Sequence, residues 1–174
     1  MAEATLKRLT LDVPDFPKPG IVFKDITPVL EDPSALKEVI DAIAQHWSER
    51  GITRIVGIES RGFIFGSAIA YAMDLGLTLV RKPGKLPRAT RSVSYELEYG
   101  TDTLEIHVDA LGEDDRVLIV DDVLATGGTA EAVCQLIGET GATIEGLAFA
   151  LELGFLPGRE KLPEHAEIQS LMVV

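Results

Sequence analysis

A single cysteine, three histidines and one tryptophan are all that the 174 residues hold of those types, and aromatic residues make up only 6% of the chain. One thiol excludes an internal disulfide framework, so the fold has to rest on a packed core. That cysteine, Cys134, lies in AVCQLI with no neighbouring base or cation, the setting of a small buried thiol rather than a nucleophile. The histidines, His46, His107 and His165, are too dispersed for a metal site or a catalytic dyad, and all three are expected at the surface. Basic charge is scarce too: 28 acidic residues stand against 16 Lys and Arg, for a formal net charge of -12. Such an excess repels phosphate backbones and anionic lipid, which argues against broad nucleic-acid or membrane-surface binding. Long hydrophobic runs are missing as well. GFIFGSAIAYAMDLG, residues 62–76, is too short and too interrupted by glycine to cross a bilayer, and residues 1–20 lack the basic head and apolar run of a secretory leader. A cytoplasmic chain is the expectation.

What is present is the composition of an ordinary globule, 46% hydrophobic and 25% charged. A chain of this length buries roughly 70% of its unfolded surface without metals or cross-links. Neither a repeat nor a shift in composition divides it, so residues 1–174 are expected to form one domain. Leu36, Val39, Ile40, Ile43, Ala44 and Trp47 recur at helical spacing after Asp32-Pro33 and before Gly51, which predicts an amphipathic helix over 34–50. Apolar, β-branched runs at 53–58, 78–81, 116–120 and 143–151 alternate with helix-like blocks at 63–75 and 129–140. That order predicts an α/β fold with an open, mostly parallel sheet flanked by helices. Residues 82–92, KPGKLPRATRS, read as a long exposed loop, and 93–99 with 103–108 alternate around GTD as a hairpin.

Ligands of open parallel sheets gather beyond the carboxyl ends of the strands. There the apolar run RVLIV delivers DDVLATGGT, residues 121–129. Adjacent strand residues point to opposite sides, so one of Asp121 and Asp122 is expected to face inward and the other the ligand crevice. Thr126, Gly127, Gly128 and Thr129 then open a helix, where close backbone approach, free N–H groups and hydroxyls favour an anion. Carboxylates beside an anion cradle are reconciled by a sugar phosphate: the cradle takes the phosphate and the carboxylates accept hydrogen bonds from the hydroxyls. Basic residues are concentrated nearby at Arg81, Lys82, Lys85, Arg88 and Arg91. A generic solvated loop is rarely so one-sided in a chain this acidic, which marks the segment as a candidate anion-binding element.

Taken whole, VDDVLATGGT resembles the phosphoribosyl pyrophosphate signature of the type I phosphoribosyltransferases. GIESRGFIFG at 57–66, RKPGKLP at 81–87, YELEYGTDTLEIH at 95–107 and DFPKPGIVFKDITPVL at 15–30 narrow the resemblance to the adenine phosphoribosyltransferases. The matches run in the expected order from about Phe16 to Leu162. The resemblance implies a flexible basic loop and β-hairpin over the site and a small N-terminal hood, about residues 1–33, contributing to the base pocket.

It implies roles for particular residues as well. Arg61, Arg81 and Lys82 address the pyrophosphate, Asp121 and Asp122 the ribose, and Ala125, Thr126, Gly127, Gly128 and Thr129 the 5′-phosphate. Val22 and Lys24 meet the adenine edge through main-chain groups, Phe23 offers an aromatic face and Leu153 closes the pocket; Lys24 departs from the arginine many relatives carry. Glu98, in LEYG, lies near N7 of the purine and acts in proton transfer. In the implied homodimer, a loop of one subunit lends a cation to its neighbour's site, with Lys85 or Arg88 as candidate. Mg²⁺ is expected to arrive on the polyphosphate rather than in a protein cage. The expected reaction converts adenine and phosphoribosyl pyrophosphate to AMP and pyrophosphate. Transfer to a 6-oxo purine on the same scaffold, or a regulator that senses phosphoribosyl pyrophosphate without turnover, are the alternatives.

Overall fold

A computed structural model describes residues 1–96 and 100–174. The chain begins with helix α1 (Ala2–Leu9), the strands β1 (Leu11–Pro14) and β2 (Val22–Asp25), and the short helix α2 (Thr27–Glu31). Then follow α3 (Pro33–Trp47), β3 (Arg54–Ile58), α4 (Gly62–Ala72), β4 (Gly76–Val80), β5 (Thr90–Glu96) and β6 (Thr101–His107). The last part holds β7 (Arg116–Leu124), α5 (Gly128–Gly138), β8 (Thr143–Glu152), a single 3₁₀ turn (Gly158–Lys161) and β9 (Glu167–Val173).

The periodic segments fold as their patterns dictate. α3 starts where the Asp32 carboxylate accepts from the N–H groups of Ser34 and Ala35, both at 2.9 Å, with Pro33 in the first turn. It buries Val39, Ile43 and Trp47 and ends at Trp47, short of the predicted Arg50. The four β-branched runs become β3, β4, β7 and β8, and β9, for which the sequence pattern predicts no run, completes a parallel sheet in the order β4-β3-β7-β8-β9. Alternation along β7 splits the core. Val117 and Ile119 pack with Val133, Leu136 and Ile137 of α5 and Leu104 and Ile106 of β6, whereas Leu118 and Val120 meet Val39, Ile43, Phe65 and Ile69 on the opposite face. A strand buried on both faces is apolar throughout, which is why RVLIV shows no polar alternation.

β5 and β6 pair antiparallel from Thr90↔His107 to Glu96↔Thr101, the predicted hairpin. The basic loop is shorter than predicted: Thr90, Arg91 and Ser92 already belong to β5, because each finds a ladder partner on β6. His107 also departs from expectation. Its ring is only half-exposed: Arg88 Nη2 lies 3.3 Å from Nδ1, and Nε2 is buried without a hydrogen-bond partner among the described residues. His165 is exposed, and His46 sits 2.6 Å from Glu167 at the surface. No helix among the described residues is long and apolar enough to cross a membrane.

Candidate active site

In the sheet order, β3 connects outward to β4 while β7 begins the run to β8 and β9, and the crevice between the ends of β3 and β7 is a topological switch point. A cavity of about 430 Å³ opens there. Glu59, Ser60 and Arg61 line it from the end of β3, Asp121, Asp122 and Val123 from β7, Ala125 from the following loop, Thr129 from the first turn of α5, and Leu153 from the end of β8. The remaining wall is the N-terminal hairpin, with Ile21, Val22, Phe23 and Lys24. A second cavity of about 90 Å³ adjoins it, lined by Asp121, Ala125, Thr126, Gly127 and Thr129 among others.

Asp121 and Asp122 are thus both lining residues of the larger cavity. Asp121 borders the smaller cavity too and stands at the junction of the two. It accepts from the Asp122 N–H at 2.9 Å. Burial, reinforced by the charge of Asp122, pushes its pKa well above the usual carboxylate range. Asp122 has a side chain 7% exposed and accepts from Arg61 Nε. α4 begins beside this pair without a side chain at Gly62, where a Cβ would stand 2.7 Å from the Val120 carbonyl oxygen and 2.9 Å from Asp121 Oδ1.

The smaller cavity is lined by the end of β7, the loop after it, the start of α5 and Phe149 of β8. Gly127 adopts φ +80°, in the left-handed region, and turns the chain into α5 at Gly128. The unpaired N–H groups and the dipole at the start of this helix favour an anion. Thr129 adds a hydroxyl, 3.3 Å from the Tyr95 hydroxyl of β5; burial raises the pKa of that phenol.

On the base side, Phe23 meets the Phe16 ring edge-on at 5.1 Å, and Arg61 Cζ lies 5.8 Å from the Phe23 centroid. The Lys24 ammonium turns to Asp12, its partner across the hairpin, at 2.6 Å.

The other cations of the predicted set line neither cavity among the described residues. Arg81 Nε and Nη2 lie 3.2 and 3.4 Å from the Glu59 carboxylate, and Arg81 Nη1 donates to the Lys85 carbonyl at 3.2 Å. The Lys82 N–H donates to Glu59 at 2.9 Å, the largest of the effects that hold this carboxyl below its ordinary pKa. Lys82 Nζ reaches Asp102 of β6 at 2.8 Å, which raises the pKa of the lysine and lowers that of the aspartate. The Arg88 guanidinium pairs with Asp109. The basic segment is thus paired with carboxylates from two places, Glu59 just after β3 and Asp102 and Asp109 on and just beyond β6. Glu98 falls outside the described residues.

Glu59, which lines the larger cavity, and Asp102 and Tyr95, which contact Lys82 and Thr129, carry no role in the sequence analysis. The only local signal was Glu59 in ESRG beside Arg61, because Asp102 and Tyr95 meet Lys82 and Thr129 through the hairpin.

The model of the phosphoribosyl transferase domain matches residues 26–159. The chain belongs to this family, and its sheet and switch-point crevice are the type I phosphoribosyltransferase fold. Over 172 residues it is 56% identical to an adenine phosphoribosyltransferase of Anaeromyxobacter dehalogenans, covering 99% of each protein. Among solved structures it is similar to the adenine phosphoribosyltransferase of Rhodothermus marinus, with 52% identity, a TM-score of 0.93 and coverage of 99% of this chain and 98% of that one. It is likewise similar to the Saccharomyces cerevisiae enzyme complexed with adenine and an imino-altritol bisphosphate, with 40% identity, a TM-score of 0.93 and coverage of 98% of both chains. The family match begins after the hairpin, so one wall of the larger cavity comes from outside the shared domain.

Proposed function

We propose that the protein is an adenine phosphoribosyltransferase, converting adenine and 5-phosphoribosyl 1-pyrophosphate to AMP and pyrophosphate. The observation that carries this reading is the meeting of the β1–β2 hairpin with the loop after β7, which puts a wall with an aromatic ring beside paired carboxylates and a backbone anion cradle. The similarity to adenine phosphoribosyltransferases over nearly the full chain supports the same base.

Loop 125–129 holds the 5′-phosphate, and Asp121 and Asp122 accept hydrogen bonds from the ribose hydroxyls. The main chain of Val22 and Lys24 meets the adenine edge between Phe23 and Leu153. N9 attacks the anomeric carbon with inversion as the bond to pyrophosphate breaks. Arg61, with Arg81 and Lys82 moving off their carboxylate partners, takes the charge of the departing group, and Glu98 receives or shares the proton that the purine loses. Closure of the basic loop keeps water from the oxocarbenium-like centre.

The residues suit magnesium carried in by the substrate: no cluster of three or more His, Cys, Asp or Glu able to hold a metal occurs among the described residues, and Asp122 is engaged by Arg61. Magnesium arriving with the substrate would supply charge neutralisation of the leaving group alongside Arg61, Arg81 and Lys82. The exposed Ile64 and Tyr71, on one face of α4, offer apolar surface for a second copy in a homodimer, with Lys85 or Arg88 as the cation lent across it. We place this acidic chain with its one buried thiol in the cytoplasm.

The test is pyrophosphate release with magnesium and phosphoribosyl pyrophosphate in the presence of adenine, hypoxanthine, guanine or no base. Release with adenine alone, matched by AMP formation, is expected. Release with the oxo purines instead keeps the scaffold and overturns the base assignment; bound sugar phosphate without release in any arm makes the protein a sensor.

A further inference from the structure

Glu152, the last residue of β8, lies outside both cavities and takes no part in the reaction scheme, yet it is only 8% exposed and carries three donors. Arg159 reaches it as a fork, Nη2 at 2.6 Å and Nε at 3.0 Å, and Ser170 Oγ of β9 lies at 2.5 Å. Arg159 Nη1 also donates to the Ile168 carbonyl at 3.3 Å. One guanidinium thus ties the 3₁₀ turn to two strands of the sheet. Forked pairing on a buried carboxylate fixes orientation in a way a point charge cannot.

The residue before Arg159 touches the anion cradle. Gly158 is buried, and a Cβ placed on it would collide with the Ala125 carbonyl oxygen and lie 3.1 Å from Gly127 N. A Cβ on Gly127 would in turn strike the Gly158 carbonyl. Backbone rests on backbone, with no side chain between the turn and the loop that lines the smaller cavity. Leu153, on the base side, is held separately: its N–H donates to the Leu124 carbonyl at 2.9 Å.

We propose that Arg159 is a positioning residue for the phosphate cradle, setting the backbone of residues 125–127 through Gly158 while Glu152 and Ser170 fix its fork. The proposal rests on the reading of this loop as the 5′-phosphate site. A cradle made of N–H groups depends on preset geometry, and a displacement of ~1 Å is enough to cost up to ~10²-fold. Because Leu153 has its own tie to β7, loss of Arg159 weakens the phosphate end and spares the base end.

Calorimetric titration with ribose 5-phosphate and with pyrophosphate, together with the KM for adenine, tests this. Arg159→Ala is expected to weaken ribose 5-phosphate by about tenfold or more, with pyrophosphate affinity and the adenine KM kept within about twofold. Arg159→Lys keeps the charge but not the fork and is expected to fall between. Arg159→Lys at full affinity beside a weakened alanine variant assigns the effect to charge and overturns the proposal. So does wild-type ribose 5-phosphate affinity in a folded Arg159→Ala protein with a lowered unfolding midpoint, the mark of a purely structural role. If the alanine variant does not fold, Arg159→Lys and Ser170→Ala decide: weaker ribose 5-phosphate binding in both is expected, and unchanged binding in both overturns the proposal. Wild-type protein that binds no ribose 5-phosphate removes the phosphate site itself and the brace with it, an outcome distinct from equal binding by wild type and variants.

Discussion

Arg61 Nε donates to Asp122 Oδ2, joining a half-exposed guanidinium to a carboxylate whose side chain is only 7% exposed. The two are assigned to opposite ends of the same bond-breaking event, Arg61 to the pyrophosphate and Asp122 to the ribose. On the proposed assignments, binding phosphoribosyl pyrophosphate exchanges one ion pair for two sets of ligand contacts. Arg61→Ala is expected to lower kcat/KM for phosphoribosyl pyrophosphate by about 10²-fold, since it removes a charged donor to the leaving group. Asp122→Asn is expected to raise the KM for the same substrate. The double variant is expected to lose less than the sum of the two, with a coupling of ~0.5–3 kcal/mol; strictly additive losses in steady-state assays would make the pairing incidental.

Asp121 gives a pH prediction. Its folded-state pKa is raised, first by burial and then by Asp122, so the folded protein holds this proton more tightly than the unfolded chain does. Stability is therefore lost as pH rises above the ordinary carboxylate value of 3.8 and through the raised one. Asp121→Asn removes this penalty. The variant is expected to melt roughly 2–4 °C above wild type near neutrality, the shift ~1 kcal/mol produces in a chain of this size, with the advantage vanishing in acid. Its affinity for phosphoribosyl pyrophosphate is expected to fall, because an amide nitrogen that can only donate replaces one of the carboxyl oxygens offered to the ribose hydroxyls. Thermal melts across pH check the first point, and equal melting at neutrality refutes it.

How far the sequence carried the structure depends on whether the physics was local. α3 was legible because Asp32, Pro33 and the apolar spacing all act within the segment, and β7 with its loop was legible because an apolar strand ending in DDVLATGGT has few ways to fold. The basic residues after Arg81 were legible as a cluster but not as pairs. Lys82 meets Asp102, and Arg88 meets Asp109, only once β6 folds back alongside. The same holds for Arg159, Glu152 and Ser170, which three separate elements bring together. The wall formed by Val22, Phe23 and Lys24 came from the family resemblance, since main-chain contacts leave no side-chain signature.

Cys134 gives a prediction of inertness. Burial pushes its thiol up to about 12, and Glu131 adds to the shift. Hardly any thiolate exists at neutral pH, so reaction with a thiol-specific disulfide reagent is expected to be slow in the native protein and fast after denaturant is added. Cys134→Ala is expected to keep kcat and the KM for both substrates, at a stability cost of about 1 kcal/mol. Rapid native labelling that abolishes activity would contradict this.

Glu98 is the remaining assignment, and its test separates chemistry from binding. As N9 joins the anomeric carbon, positive charge builds in the purine until a ring proton leaves, so a carboxylate acting there contributes in the transition state more than in the ground state. Glu98→Ala is therefore expected to lower kcat by about 10²–10³-fold, in the range of general acid–base effects, with the KM for phosphoribosyl pyrophosphate little changed. Glu98→Gln retains a hydrogen-bonding group but cannot take up the proton. If it recovers most of the lost rate, the carboxylate orients the base; if it is as slow as the alanine variant, proton acceptance is what Glu98 supplies. A Glu98→Ala enzyme with wild-type kcat takes this residue out of the reaction altogether.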